Sequence, residues 1–299
     1  MTSLDEYPYL KSLLRRLVTP KTAELLLGLR YELDILRGRP SLLVYQMGKV
    51  GSRSVHRALV ESSIPHRVYH VHHITEEQAT GVEQKYRQQR VREPLHLATS
   101  RMLRSKRNQA EGLRWKIITL VREPVRTFLS HVFYNPKVHR PFLLDHNGNI
   151  ISSEAEAYVA QSLATFDAER DYIASWFDSE FLRVTGVDVY AHEFDTTTGY
   201  SIIQGTNDDV LVLRLEDADR VFPQAISSFL SLERPIMLPK SNVNEQSLDA
   251  DLYKDVRSRI GIPHELLERV YATKYAQHFY DESERQALIE YWANPLARL

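Results

Sequence analysis

The sequence predicts an α/β fold in which a doubly wound, mainly parallel sheet is flanked by helices. Segments typical of strands and segments typical of helices alternate along the chain, the pattern of a doubly wound sheet. Residues 42–45 are an apolar run and residues 116–121 are apolar except for Lys116 and Thr119, as expected of parallel strands that are buried on both faces. A turn and a helix-like segment follow each run. A chain of 299 residues can build one such core with helical additions at both ends.

Periodicity and turn residues place the individual elements. Leucines recur at helical spacing in residues 8–37, with a break at Pro20, which predicts two amphipathic helices packed on the core as a flap. We therefore predict a helical segment at 1–40 and an α/β domain at 41–299. Further strands are predicted at 67–71, 187–190, 201–204 and 210–214, further helices at 52–61, 75–92, 154–177, 217–230, 249–260, 263–272 and 283–292, and a long loop at 135–151.

The amino-acid composition excludes several kinds of catalytic site and binding partner. The chain has no cysteine, which excludes disulfides, thiolate catalysis and cysteine-ligated metals. Its 38 basic and 39 acidic residues nearly cancel, so no overall field favours nucleic acid or an acidic membrane. We find no signal peptide and no apolar stretch of about 20 residues that would span a membrane. A cytoplasmic enzyme without a nucleic-acid partner is the expectation.

A glycine-containing loop, Gln-Met-Gly-Lys-Val-Gly-Ser-Arg-Ser at 46–54, follows the first strand. Backbone N–H groups of such a loop and of the helix start converge on one point and favour an anion there. Gly48 and Gly51 let the backbone approach the anion closely, and Lys49 adds a positive charge. The lysine precedes the second glycine, unlike the order in loops that bind nucleoside triphosphates. The alternative is an ordinary turn between strand and helix.

A second junction of this kind follows the strand at 116–121. Arg122 ends the strand, Pro124 opens the next helix, and Ser130 follows eight residues after Arg122. Arginine can grip a phosphate with two N–H groups, and the helix start adds its own N–H groups. Arg126 lies four residues before Ser130, on the same helix face. The alternative is a surface helix start, but two junctions together predict a ligand with two anionic groups.

These two segments resemble the cofactor-binding elements of sulfotransferases that use 3′-phosphoadenosine 5′-phosphosulfate (PAPS). The resemblance implies a P-loop-type sheet and transfer of a sulfuryl group from PAPS to a hydroxyl, most simply of a carbohydrate, leaving adenosine 3′,5′-bisphosphate. It implies that Arg122 and Ser130 bind the 3′-phosphate. It also implies that Lys49 stabilises the departing phosphate. The phosphosulfate loop would comprise Gly48, Lys49, Val50, Gly51, Ser52, Arg53 and Ser54, with Arg53 in place of the more usual threonine or serine.

Histidines follow the second strand, in Tyr-His-Val-His-His at 69–73. His70 and His72 lie on the same side of an extended segment, and sulfuryl transfer requires a base for the hydroxyl proton. The segment resembles the Tyr-His-x-His of uronyl 2-O-sulfotransferases, which implies that His72, or else His70, is the base. Glu76 or Glu77 is an alternative base. Substrate-orienting or half-buried histidines, and a zinc site, also remain open.

Over residues 42 to about 280, the chain is similar to a bacterial sulfotransferase-like group labelled capsular polysaccharide synthesis proteins. It shares the loop at 46–52, the Val-Arg-Glu-Pro at 121–124 and a late Tyr-x-x-Lys-Tyr-Ala-x-His-Phe-Tyr at 271–280. The Lys-Ser-Asn-Val-Asn at 240–244 resembles a sulfotransferase loop that closes over the cofactor. Residues 85–122 hold 11 basic and 2 acidic residues, which indicates either a wall for an anionic polysaccharide or a solvated helical face. A P-loop kinase and a non-catalytic nucleotide-binding module are the alternative functions.

Overall fold

The computed structural model describes residues 19–109, 112–239 and 257–295. Its centre is a five-stranded sheet with the order β2-β1-β3-β5-β4. Strands β1, β2, β3 and β5 are parallel, and β4 pairs antiparallel with β5 at one edge. The predicted α/β class with a mainly parallel sheet is confirmed. The strands are β1 (Ser41–Tyr45), β2 (Arg67–Val71), β3 (Lys116–Val121), β4 (Tyr200–Gln204) and β5 (Asp209–Arg214).

Helices flank the sheet, as predicted. Those of the first half are α1 (Pro20–Leu36), α2 (Ser52–Glu61), α3 (Glu76–Gln88), α4 (Leu95–Gln109), α5 (Pro124–Val132) and α6 (Pro136–His139). Those of the second half are α7 (Ser152–Ala164), α8 (Tyr172–Trp176), α9 (Leu182–Thr185), α10 (Ala218–Leu230), α11 (His264–Tyr271), α12 (Lys274–Phe279) and α13 (Glu282–Ala293). A π-helical turn at Phe177–Phe181 joins α8 to α9. Among the described residues, no helix is both long and apolar enough to cross a membrane.

The order of the strands determines where a site can form. The chain passes from β1 to β2 on one side and then crosses to β3 on the other side of β1. Connections that leave neighbouring parallel strands in opposite directions open a crevice at the carboxyl ends of those strands. Because β1 and β3 are fully buried apart from Lys116, the two strands form a rigid base for the loops that follow them.

Three predicted elements differ from the structure, and one helix was not predicted. The predicted helix at 154–177 is two helices, because Asp171 accepts hydrogen bonds from Ile173 and Ala174 and starts a new helix. The predicted strand at 187–190 is wrong: Asp188 accepts a bond from the Tyr190 amide, and a 3₁₀ turn forms at Val189–Ala191. The predicted loop at 135–151 contains α6 and a 3₁₀ turn, and α4 was not predicted.

Helix α1 contradicts the prediction that its leucines pack on the core. Leu25 and Leu36 are 64% and 82% exposed, whereas Tyr31 and Asp34 are buried. The carboxylate of Asp34 pairs with Arg67 of β2 at 2.7 Å, which brings the polar side of the helix to the sheet. Residues 1–18, the loop at 240–244 and most of the predicted helix at 249–260 lie outside the described residues.

Candidate active site

A cleft of about 1220 Å³ opens at the carboxyl ends of β1, β2 and β3. Its walls come from the loop after β1, the residues after β2, and parts of α3, α4, α5, α7 and α8. The two strand-to-helix junctions singled out in the sequence therefore contribute to one cavity. A shared cavity with convergent polar groups is where a small-molecule site is expected.

The loop after β1 has an unusual backbone. Lys49 has φ of 68° and Gly51 has φ of 82°, so two left-handed residues flank Val50. A Cβ on Gly51 would lie 2.4 Å from Leu215 Cδ1, and one on Gly48 would lie 3.0 Å from the His131 ring. Glycine is required at Gly51 both by the backbone angle and by this close approach.

One N–H group of this loop is already engaged. The Gly48 amide donates to the Tyr172 hydroxyl of α8 at 3.2 Å, and the His131 ring of α5 donates from Nε2 to the Gly48 carbonyl at 3.2 Å. The loop is thus held from two helices. At the start of α2 the Ser54 amide donates to the Gly51 carbonyl at 3.2 Å. The amides of Ser52 and Arg53, which come before it, are the ones that can meet an anion, because the first amides of a helix have no carbonyl one turn earlier to bond to.

Arg122 lies directly beside the loop. Its Nη1 donates to the Lys49 carbonyl at 2.9 Å and to Ser130 Oγ at 2.9 Å. The structure therefore brings together Lys49, Arg122 and Ser130, which the sequence predicted to bind one ligand. Arg126 has a different place: it pairs with the buried carboxylate of Glu123 at 3.6 Å and supports the start of α5.

Positive charge collects at this point, where Lys49, Arg53 and Arg122 all line the cleft. The Lys49 ammonium lies over the Tyr134 ring at 4.6 Å, and no acidic side chain of the described residues contributes to its pKa shift. Burial, followed by the nearby charges of Arg53 and Arg122, lowers the pKa of Lys49 to about 8. A bound anion would relieve this repulsion and restore the usual pKa. The donor set thus fits a phosphate- or sulfate-bearing ligand.

His72 is oriented for proton transfer. Its Nδ1 lies 3.0 Å from the Gln46 carbonyl oxygen, which can only accept, so Nδ1 carries the hydrogen. In the neutral ring Nε2 is then the basic nitrogen. Burial is the largest cause of a lowered pKa, which keeps the ring neutral near pH 7. His70 differs, because its Nε2 already contacts Ser52 Oγ at 2.9 Å and burial lowers its pKa to about 2.

Two further histidines, which the sequence did not predict to be part of the site, lie beside His70 and His72. The His96 ring of α4 lies 5.2 Å from the His72 ring, and the His56 ring of α2 lies 5.5 Å from His70. Only the packing of α2 and α4 on the sheet reveals them, because nothing in their local sequence marks a site. Despite this clustering, no three histidines or acids in the described part of the chain are arranged to hold a metal ion.

Of the other residues that the sequence predicted for the site, some line the cleft and some do not. Val50 is buried in the core, so only its backbone can serve the loop. Arg53 and Ser54 line the cleft, and Ser54 is engaged in an interaction of its own. Glu77 lines the cleft but pairs with Arg183 at 3.0 Å, whereas Glu76 lies in the first turn of α3 and does not line the cleft.

Most of the basic stretch at 85–122 serves the fold. Arg101 bonds to three carboxylates, among them Glu83 and Glu93, and Arg107 pairs with the buried Asp208. Of the 11 basic residues, only Lys85 and Arg122 line the cleft. The interpretation of the stretch as a continuous basic wall is therefore wrong, and the two side chains that do reach the cleft act separately.

Residues 166–281 match the family model described as "Putative capsular polysaccharide synthesis protein". No curated protein and no solved structure shows significant similarity to the chain. The matched segment contains β4, β5 and α8–α12, and so includes Tyr172 beside the loop. Lys49, His72 and Arg122 lie before it.

Proposed function

We propose that this chain is a PAPS-dependent sulfotransferase that transfers a sulfuryl group to a hydroxyl of a carbohydrate. The observation that carries the proposal is the contact between Arg122 and Lys49 at the ends of two neighbouring strands. The guanidinium of Arg122 meets the backbone of Lys49 there, beside the start of a helix, which supports binding of one ligand with two anionic groups by both residues. A ribose 3′-phosphate and a 5′-phosphosulfate are such a pair.

The residues divide between the two ends of the ligand. Arg122 and Ser130, which already share a hydrogen bond, would hold the 3′-phosphate. Lys49 and the N–H groups at the start of α2 would hold the 5′ end. PAPS supplies the activated sulfuryl group when it is bound. The loss of repulsion among Lys49, Arg53 and Arg122 would contribute to its affinity.

His72 would then act as the general base. Its Nε2 accepts the proton of the acceptor hydroxyl while the hydroxyl oxygen bonds to sulfur and the bond from sulfur to the bridging phosphate oxygen breaks. Lys49 neutralises the charge that develops on the departing phosphate. The hydrogen bond from Nδ1 to the Gln46 carbonyl keeps the ring in the tautomer that this step requires.

The outer part of the cleft suits a sugar with negative charge. Lys85 and Arg140 line it. Burial, followed by the charges of Lys85 and Arg140, lowers the pKa of His139 to about 4. The Arg140 guanidinium lies over the half-buried Tyr158 ring at 5.3 Å. Cations that line a cleft attract an acidic polysaccharide, in agreement with the capsular polysaccharide description of the matched family.

Transfer of labelled sulfate from PAPS to acidic and neutral glycans tests the proposal directly. We expect product with the wild-type chain, a preference for acidic glycans, and loss of product in Lys49→Ala and His72→Ala. Thermal-shift titration with adenosine 3′,5′-bisphosphate and with ATP separates this function from a kinase, because only the first has a 3′-phosphate for Arg122. Stronger stabilisation by ATP would favour the kinase, and binding of the bisphosphate without transfer would favour a non-catalytic module.

A further inference from the structure

The backbone of Arg122 is held by a side chain from the distant end of the sequence. The Tyr275 hydroxyl of α12 accepts a bond from the Arg122 amide at 2.9 Å and donates to the Arg122 carbonyl at 2.8 Å. Tyr275 is fully buried, and its ring packs against Phe177 and Phe279. A single rigid hydroxyl thus pairs both polar groups of one residue.

Two more tyrosines of the run at 271–280 reach the next residue, Glu123. The Tyr271 hydroxyl donates to Glu123 Oε1 at 2.5 Å. The Tyr280 hydroxyl donates to Glu216 Oε2 at 3.1 Å, and Glu216 Oε1 accepts from the Glu123 amide at 3.0 Å. All three tyrosines of this run therefore converge, directly or through one carboxylate, on the turn that presents Arg122.

The turn needs such support because it lies beyond the end of β3. Past Val121 the ladder to β5 stops, so the amide and carbonyl of Arg122 have no strand partner. Buried backbone groups without partners are costly, and a residue without fixed backbone bonds presents its side chain in several directions. The Arg122 carbonyl also accepts a longer bond from Thr127 Oγ1 at 3.4 Å. Among the described residues, only the Tyr275 hydroxyl bonds to both the amide and the carbonyl of the residue whose guanidinium must point at Lys49.

We propose that Tyr275 is a positioning residue for the anion-binding Arg122, an inference that rests on the proposed function. Its hydroxyl fixes the main chain at the end of β3 so that the guanidinium reaches the Lys49 carbonyl and Ser130 Oγ. This gives the matched segment at 166–281 a role in a site whose cationic residues precede it: the segment holds the arginine in place.

Tyr275→Phe tests the inference, since phenylalanine keeps the ring and removes only the hydroxyl. We expect at least fivefold weaker binding of adenosine 3′,5′-bisphosphate, a matching rise in KM for PAPS, and kcat within about twofold of wild type. Tyr190→Phe is the matched control, because Tyr190 packs against the same Phe177 and Phe279 but its buried hydroxyl has no hydrogen-bond partner among the residues that the structure describes. We expect wild-type binding from this control.

A double-mutant cycle shows whether Tyr275 acts through Arg122. In the Arg122→Ala background, Tyr275→Phe should weaken bisphosphate binding by less than twofold further. Independent, additive losses in the cycle would overturn the inference, as would wild-type affinity in Tyr275→Phe alone.

A crystal structure of Tyr275→Phe gives a readout that does not depend on the ligand. We expect the Arg122 guanidinium to move away from the Lys49 carbonyl; if it stays, the inference is wrong whatever the affinity. If it moves but the wild-type chain binds no bisphosphate, the positioning role stands and the proposed function fails. Should Tyr275→Phe not fold, hydrogen exchange of the wild-type chain replaces it: slow exchange of the Arg122 amide supports the bond to Tyr275, and exchange as fast as that of an unstructured peptide refutes it.

Discussion

The guanidinium of Arg122 donates a hydrogen bond to the carbonyl oxygen of Lys49 at 2.9 Å, although 73 positions separate the two residues. The contact exists because β1 and β3 are adjacent parallel strands and both residues follow the carboxyl end of a strand. The guanidinium keeps further N–H groups for a ligand.

Removing the guanidinium should weaken nucleotide binding selectively. Hydrogen bonds to charged groups contribute about 1.5–3 kcal/mol, so Arg122→Ala should bind adenosine 3′,5′-bisphosphate roughly 10- to 100-fold more weakly by calorimetry. Arg114→Ala is the control, since Arg114 precedes the opposite end of β3 and pairs with Asp209. Equal affinities of the two variants would show that Arg122 does not contact the ligand.

Affinity for the bisphosphate should depend on the charge of Lys49. Its pKa is about 8 in the free protein, and an anion raises it, so affinity should fall as the pH increases above 8. Binding measured from pH 7 to 9.5 checks this. Lys49→Arg stays charged throughout and should show a flatter profile. A wild-type profile as flat as that of Lys49→Arg contradicts a role for the lysine charge.

The two candidate bases should behave differently. His72→Gln should lower kcat by about 10²- to 10⁴-fold with bisphosphate affinity nearly unchanged, because a base acts in the chemical step. His70→Gln should mainly weaken binding, because the His70 ring contacts Ser52 of the loop. His192→Gln, an exposed residue outside the cleft lining, controls for the substitution. A kcat deficit in His70→Gln alone would transfer the role of base to His70.

Stability should decrease on acidification. Burial is the largest cause of lowered pKa values in His70 (about 2), His73, His96 and His131 (each about 3) and His139 (about 4). The unfolded chain binds these protons near pH 6.5 and the folded chain does not, so the stability present above pH 6.5 is lost as the pH falls. Each histidine that stays neutral in the folded chain lowers the free energy of unfolding by about 1.4 kcal/mol when the pH falls from 7.5 to 5.5.

Urea unfolding at pH 7.5, 6.5 and 5.5, in a buffer without phosphate or sulfate, measures this loss. We expect the free energy of unfolding to fall by several kcal/mol across the range. A change below about 1 kcal/mol would mean that the histidines are more hydrated than the structure indicates.

The two glycine-to-alanine changes at Gly51 and Gly81 should have opposite effects. Gly51→Ala forces a left-handed residue to carry a Cβ near Leu215, and should destabilise the protein by at least about 1–2 kcal/mol. Gly81 lies inside α3 with open space around its Cα, so Gly81→Ala should stabilise by about 0.5–1 kcal/mol. Thermal unfolding of both variants checks the signs. A stabilising Gly51→Ala would contradict the described loop.

The sequence by itself determined the fold class and the two junctions. Short, largely apolar runs such as 116–121 are typical of buried strands, and the residues that follow a parallel strand must lie at its carboxyl edge. These are local properties, which a single chain segment displays. The strand predicted at 187–190 is wrong, because the Asp188 carboxylate accepts a hydrogen bond from the Tyr190 amide and stabilises a turn there.

Only the tertiary structure decided which distant residues complete the site. Neither the His96 ring beside His72 nor the Tyr275 hydroxyl on the backbone of Arg122 has a local signature, because each contact depends on how a helix packs against the sheet. The leucines of α1 are exposed for a similar reason: the Asp34–Arg67 pair lies on the opposite side of that helix, and that side is the buried one. Periodicity identifies an apolar face, but the available partners determine which face is buried.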